Sequence, residues 1–205
     1  MSTVIINTFL TLDGVAQAPG GPEEDRESGF THGGWQVPFF TEQLGAIIGP
    51  WFANPGAMLL GRRTYDIFAG YWPHIAADHG DAPMAKILNE TPKYVASRTV
   101  TSLEWENSHL LDANVPAAVA ELKKQDLGEI HVHGSLDLAR TLIQHDLVDE
   151  YRLTVFPVVL GTGKRLFGDG TVPGSLALVS AQTTDAGVVA CVYRRAGEVR
   201  YGSHL

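Results

Sequence analysis

A single cysteine, Cys191, stands in the whole chain, so neither an intrachain disulfide nor a multi-thiolate zinc site can form. It lies in the apolar run Val188-Val189-Ala190-Cys191-Val192-Tyr193 and reads as a small buried hydrophobe of a strand. No apolar run approaches the roughly 20 residues that cross a bilayer. The first strand-like stretch, Thr3-Val4-Ile5-Ile6-Asn7-Thr8-Phe9, is not preceded by a basic leader region, so a cytoplasmic protein without membrane contact is expected. Excess positive charge is lacking too: 15 Lys and Arg against 23 Asp and Glu give a net charge of −8. That balance argues against a general phosphate-backbone surface and predicts no nucleic-acid partner. Gly-x-Ser-x-Gly and paired Cys-x-x-Cys motifs are absent, which removes the commonest hydrolase and zinc-deaminase readings. Gly161-Thr162-Gly163-Lys164 does not have the spacing of a nucleotide-triphosphate loop, since Arg165 follows the lysine. It reads as a tight loop near the ligand edge.

What is present is a chain of 205 residues, 44% hydrophobic and 19% charged, without internal repeat, low-complexity tail or linker. One domain over 1–205 is expected, with its core at about 3–194. A Gly/Pro/acid-rich stretch from Ala18 to Gly34 has no period and predicts a mobile flap. Phe40, Leu44, Ile47, Ile48 and Trp51 recur at helical spacing, giving a helix over Pro38–Phe52. Strand Ala57–Leu60, a helix from near Thr64 to Trp72, a helix Ala82–Asn89 and strand Tyr94–Ala96 follow. Asn114 caps a helix to Gln125, then come strand Ile130–His133 and helix Leu136–His145. Tyr151–Leu160 is a long strand in which Pro157 suggests an edge position or bulge. Strands near Leu176–Thr183 and Val188–Arg194 form a hairpin around Asp185-Ala186-Gly187. The pattern is α/β, a central mixed, mostly parallel sheet flanked by helices with a C-terminal antiparallel hairpin.

The chemistry-bearing residues cluster where apolar strands stop at small or basic residues. Gly61-Arg62-Arg63-Thr64 offers close approach, guanidinium groups and a hydroxyl able to cap the next helix. Ser97-Arg98-Thr99 ends a strand with a set suited to a monoester phosphate. Ser135 is a natural N-cap, and the amides near Gly134 suit a pyrophosphate. The first also reads as an ordinary capped helix with solvated arginines, and the second as a polar loop. His131 and His133 share a strand face but have no third metal ligand, so no metal site is expected. Asp13, beside Gly14, can accept from a substrate amide or simply form a turn. Glu42 stands in the first turn of its helix, where negative charge suits the dipole.

Taken in order, Asp13-Gly14, Gly61-Arg62-Arg63-Thr64-Tyr65, Ser97-Arg98-Thr99, Gly134-Ser135 and the run from Leu147 through Pro157 to Gly163 resemble the dihydrofolate reductase-like family. The nearer branch is that of the riboflavin-biosynthesis (RibD) C-terminal reductase domain. The resemblance implies a three-layer fold with NADPH across the strand ends and hydride transfer to a small heterocyclic or carbonyl-like substrate, such as a pyrimidine riboflavin precursor or a pterin-like compound. It implies that Gly61, Arg62 and Thr64 meet cofactor phosphates, Ser97 and Arg98 the 2′-phosphate, and Gly134, Ser135 and Leu136 the pyrophosphate. Asp13 would polarise substrate or position the flap, and Glu42 would supply a proton. Related domains pair, so a homodimer is expected, through Tyr151–Leu160 and the C-terminal hairpin. The alternative is an NADP(H)-binding sensor or partner protein without turnover.

Overall fold

The computed structural model describes residues 1–204. Its eight strands form one sheet in the order β4-β3-β2-β5-β1-β6-β8-β7. They are β1 (Thr3–Thr11), β2 (Ala57–Gly61), β3 (Lys93–Ala96), β4 (Ser108–Leu110), β5 (Glu129–His133), β6 (Glu150–Phe156), β7 (Leu176–Thr183) and β8 (Val189–Arg195). All pairings from β4 to β6 are parallel, and β8 and β7 close the far side antiparallel. The helices are α1 (Glu42–Ile48), α2 (Arg62–Ala69), α3 (Ala82–Glu90), α4 (Val115–Lys124) and α5 (Leu136–Gln144).

Period-two alternation decides which helices meet which face. Val4, Ile6, Leu59, Ile130, Val132 and Leu153 point to one side, where Val119 and Leu122 of α4 and Ala139 and Leu142 of α5 complete a core. Met58, Leu60 and Val95 point to the other, against Tyr65 of α2 and Leu88 of α3. Leu44 and Ile48 of α1 pack with Trp35 and Phe156 farther along. The result is helix, sheet, helix.

Several local expectations are corrected. Glycine and proline break the Pro38–Phe52 helix into α1 flanked by short 3-10 turns at Val37–Phe39 and Gly49–Phe52. The first strand-end helix starts earlier than expected, at Arg62, and ends at Ala69. Strand β6 stops at Phe156 and lies between β1 and β8, so Pro157 marks its end rather than a sheet edge. The short β4 has no sequence signal of its own. The C-terminal hairpin and the Asn114 cap, which accepts from the Ala117 N–H at 3.2 Å, are as expected.

The Ala18–Gly34 stretch is a folded strap rather than a loose flap. Trp35 and Phe30 are buried, and the Trp35 indole N–H donates to the Gln17 carbonyl at 2.8 Å. Gln17 Nε2 donates to the carbonyls of Asp25 and Glu27 at 3.2 and 3.1 Å. Periodicity cannot show this, because the strap is held by side-chain bonds rather than by a ladder.

Candidate functional site

Strands β1, β2, β3 and β5 end along one edge, as an open α/β sheet requires for a ligand crevice. There the β2–α2 and β5–α5 junctions interlock. The Gly61 N–H donates to Ser135 Oγ at 2.9 Å, and the Ser135 N–H donates to Thr64 Oγ1 at 3.1 Å. Both hydroxyls were expected to cap helices. Thr64 instead lies inside α2, and Ser135 precedes α5 without capping it through its side chain. Gly134 (φ 51°) and Ser135 (φ 47°, ψ 47°) are consecutive left-handed residues. A non-glycine residue in that region stores about 1–3 kcal/mol of strain, a feature concentrated at ligand clamps. A Cβ on Gly134 would meet Thr64 Oγ1 at 3.4 Å, an ordinary contact, so it is the left-handed φ that favours glycine there. Leu136 is buried in the core beneath α5, which leaves its main chain at the helix start, where amides point outward.

The cations divide into occupied and free. Arg62 Nε bonds Asp66 Oδ1 and Oδ2 at 2.7 and 2.6 Å. Arg63 bonds Asp25 at 3.1 Å and also Glu27. Lys164 bonds the same two carboxylates, Asp25 at 2.7 Å. Burial raises the Asp25 pKa, but the Lys164 hydrogen bond, the Glu27 amide and the two cations outweigh it and leave it lowered. The strap is thereby tied to α2 on one side and to the loop after β6 on the other, across the ends of β5 and β1 between them. Arg98, in contrast, is exposed and has no hydrogen bond or ion pair among the described residues. Ser97 Oγ accepts from the amides of Thr99 and Val100 at 3.2 and 3.1 Å, shaping the turn that presents Arg98. A cleft of about 380 Å³ runs beside this turn, lined by Arg62, Tyr65, Val100 and Glu104. A larger open groove of about 800 Å³ lies between the end of α5 and the start of β7, at the opposite edge of the sheet.

Asp13 is held on every side. Thr11 Oγ1 donates to its Oδ1 at 2.6 Å, and the amides of Leu160 and Gly161 donate to its carboxylate at 3.2 and 2.8 Å. The Thr11 hydroxyl chiefly, with those amides and against some desolvation, lowers its pKa to about 2. Its carboxylate therefore fastens the end of β1 to the loop after β6. Glu42 is the exposed first residue of α1, remote from any partner among the described residues.

Below the edge, on the α2 side of the sheet, lies a polar patch that sequence reasoning did not assemble. Arg152 bonds Glu129 at 2.7 Å and Glu150 at 2.8 Å, and donates to the Trp51 carbonyl at 3.0 Å. His131 bonds Glu129 at 2.7 Å. Burial drives the His133 pKa down to about 3, assisted by His131, so its ring is neutral. Among the described residues no group of three or more His, Cys, Asp or Glu could hold a metal, and no helix is long and apolar enough to cross a membrane. Gln17, Asp25, Glu27 and the role of Lys164 are what sequence reasoning missed at this edge. The charges of Asp25, Glu27 and Lys164, in a Gly/Pro-rich loop and a basic loop, were their signal, and Gln17 had none.

A three-layer sheet of this order with its crevice at the parallel strand ends is a dihydrofolate reductase-like fold. The chain belongs to the RibD C-terminal domain family, which it matches over residues 2–190. It is 31% identical over 194 residues to the uncharacterized protein YyaP of Bacillus subtilis (strain 168), covering 93% of each chain. A solved protein of Shewanella sp. PV-4 bearing a riboflavin-biosynthesis name superposes with a TM-score of 0.65 at 18% identity, covering 95% of this chain and 99% of that one. The Thermotoga maritima diaminohydroxyphosphoribosylaminopyrimidine deaminase/5-amino-6-(5-phosphoribosylamino)uracil reductase gives a TM-score of 0.60 at 15% identity, over 95% of this chain and 57% of that one. At these identities the solved structures establish the fold. The family membership places the protein among reductase-like oxidoreductases.

Proposed function

We propose that the protein is an NADPH-dependent reductase acting on a small heterocyclic substrate of the pyrimidine riboflavin-precursor or pterin-like class. The observation that carries this reading is the left-handed Gly134–Ser135 pair, locked to Gly61 and Thr64 so that two helix starts converge on one point. Two helix N-termini aimed together make an anion cradle, in which the Thr64 and Ser135 hydroxyls and the Gly134 and Leu136 amides would hold the pyrophosphate, while Gly61, whose N–H is taken by Ser135 Oγ, would allow its close approach. The unpaired Arg98, with Ser97, would take the 2′-phosphate, whose oxygens suit a planar guanidinium. Arg62 would join them by exchanging Asp66 for phosphate.

The bound cofactor supplies a hydride equivalent, while the protein orients the reactants and excludes water. Trp35, packed in the core beside the strap, would help keep water out. Asp13 sets the loop after β6, and Glu42, exposed and unpartnered, is assigned to proton supply. The uracil reductase activity in the name of the Thermotoga protein supports a pyrimidine as substrate. The multiple hydrogen bonds absorbed by Asp13 favour, as a second reading, a cofactor-binding sensor without turnover.

The test is a titration of the purified protein with NADPH and, separately, NADH, read by quenching of tryptophan fluorescence. Selective NADPH binding followed by oxidation with riboflavin-precursor pyrimidines or dihydrofolate is the expected result. Binding without turnover across that panel would select the sensor, and absence of binding would overturn both.

A further inference from the structure

Asn7 interrupts the apolar first strand, is 5% exposed, and has no hydrogen-bond partner among the described residues at either Nδ2 or Oδ1. A buried amide left unpaired is costly, and native proteins keep few such groups without a use. In register Asn7 stands beside His133 of β5 and Arg152 of β6, on the face covered by the Gly49–Phe52 turn and α2. Arg152 is engaged by Glu129, Glu150 and the Trp51 carbonyl. The His133 ring forms no hydrogen bond, stacks on Phe52 at 5.4 Å and 26°, and meets Phe68 at 6.4 Å. His131 Nδ1 is unpartnered as well, its ring 5.7 Å from that of His133. Unpaired polar groups from two adjacent strands thus share a patch walled by half-buried aromatic rings. Gly134, the start of the proposed cofactor cradle, is the residue after His133.

Resting on the reductase reading of this edge, we propose that Asn7 determines substrate specificity by taking a planar cyclic amide. Its Nδ2 donates to the ring carbonyl and its Oδ1 accepts from the adjacent ring N–H, an edge that matches both orphan atoms at once. The neutral His133 ring and Phe52 supply the flat apolar wall. A ring methylated at nitrogen leaves Oδ1 unpaired and is rejected, because a site built to bond a group discriminates strongly against its absence.

Uracil and 1,3-dimethyluracil, titrated into the full-length protein with and without NADPH and followed by ligand-observed NMR, test this. Uracil should bind at least about tenfold more tightly than the dimethyl compound. Asn7→Leu should abolish that preference while leaving NADPH affinity unchanged, and Asn7→Asp, which keeps the shape but loses the donor, should weaken uracil alone. Asn7→Leu should also melt no lower than the wild type, since an unpaired amide gives way to an apolar group. Equal binding of the two pyrimidines, no uracil binding, or uracil binding unchanged in Asn7→Leu would overturn the proposal. Unchanged binding joined to a lower melting temperature would assign the amide to an internal water. Selective uracil binding without NADPH binding would keep this seat and remove the reductase reading, whereas NADPH binding without pyrimidine discrimination would do the reverse.

Discussion

The Gly61 N–H donates to the Ser135 hydroxyl at 2.9 Å, joining the ends of two neighbouring parallel strands at the point where each turns into its helix. Ser135→Ala removes that acceptor and leaves a partly buried amide unpaired, at about 1–2 kcal/mol. For a chain of this size that is a drop of roughly 2–8 °C in melting temperature. Ser135→Gly loses the same hydroxyl but relieves the left-handed strain, so it should melt above the alanine variant. Equal melting of both would show that the strain is absent.

Arg98 differs from its basic neighbours in being unpaired among the described residues. Arg62 and Arg63 are held by Asp66 and by Asp25 with Glu27. Arg98→Ala should therefore weaken NADPH by about ten- to a hundredfold, the worth of a charge-assisted phosphate contact. NADH, which lacks the extra phosphate, should bind as before. Parallel titrations of both nucleotides decide it, and an equal loss for both would remove Arg98 from the 2′-phosphate role.

Asp13 gives the fold an acid-side signature. Its pKa is lowered from 3.8 to about 2 by the Thr11 hydroxyl and the Leu160 and Gly161 amides, so its ionised form is preferred in the folded state. The contribution is complete above about pH 4 and is lost as pH falls through about 2. Asp13→Asn should be less stable than wild type at pH 7, and the difference should narrow between pH 4 and 2. Urea unfolding across that range measures it; a constant difference would mean that the charge of Asp13 does not matter.

Much of the edge was legible because strands ending in Gly, Ser or Arg announce themselves locally. Gly61, Ser97, Gly134 and Ser135 lie where apolar runs stop, and the structure brings the β2 and β5 junctions into contact. What was not legible depends on partners distant in sequence. The roles of Thr64 and Ser135 exchanged from helix capping to cross-strand locking because each hydroxyl found an amide some 70 positions away, at separations of 71 and 74. The strap is likewise defined by Lys164, 139 positions from Asp25. Asn7 looked like one more strand residue, since only the packed sheet shows that its amide is unpaired.

Lys93 was equally silent in the sequence. It is completely buried, donates to the carbonyls of Asn89, Thr91 and Glu106 at 2.9, 2.8 and 2.9 Å, and lies 4.3 Å from the centroid of the Trp105 ring. Desolvation, against the charge of Glu106, lowers its pKa from 10.5 to about 8. Lys93→Met strands three carbonyls and should cost about 2 kcal/mol or more. Protonation of the buried amine is disfavoured in the fold, so wild-type stability from this group rises as pH passes from about 8 to 10.5. The deficit of Lys93→Met should widen over that interval in thermal or urea unfolding, and a deficit independent of pH would show that the amine does not titrate there.

Strand β7 closes the sheet with an unpaired outer edge, and all eight of its residues are exposed. Leu176-Ala177-Leu178-Val179-Ser180-Ala181-Gln182-Thr183 carries no charge in a chain of net charge −8. Exposed, uncharged edge strands invite pairing, and like-charged copies meet most easily where charge is absent. Leu178 and Val179, 56% and 49% exposed, supply the apolar material. A homodimer built on this strand should appear in sedimentation equilibrium at micromolar concentration, with β6 buried inside each copy rather than at the contact. Leu178→Lys should shift the protein to monomer without lowering its helix and sheet content by circular dichroism. A wild type that sediments only as monomer would overturn the dimer, and a dimer insensitive to Leu178→Lys would move the interface away from β7.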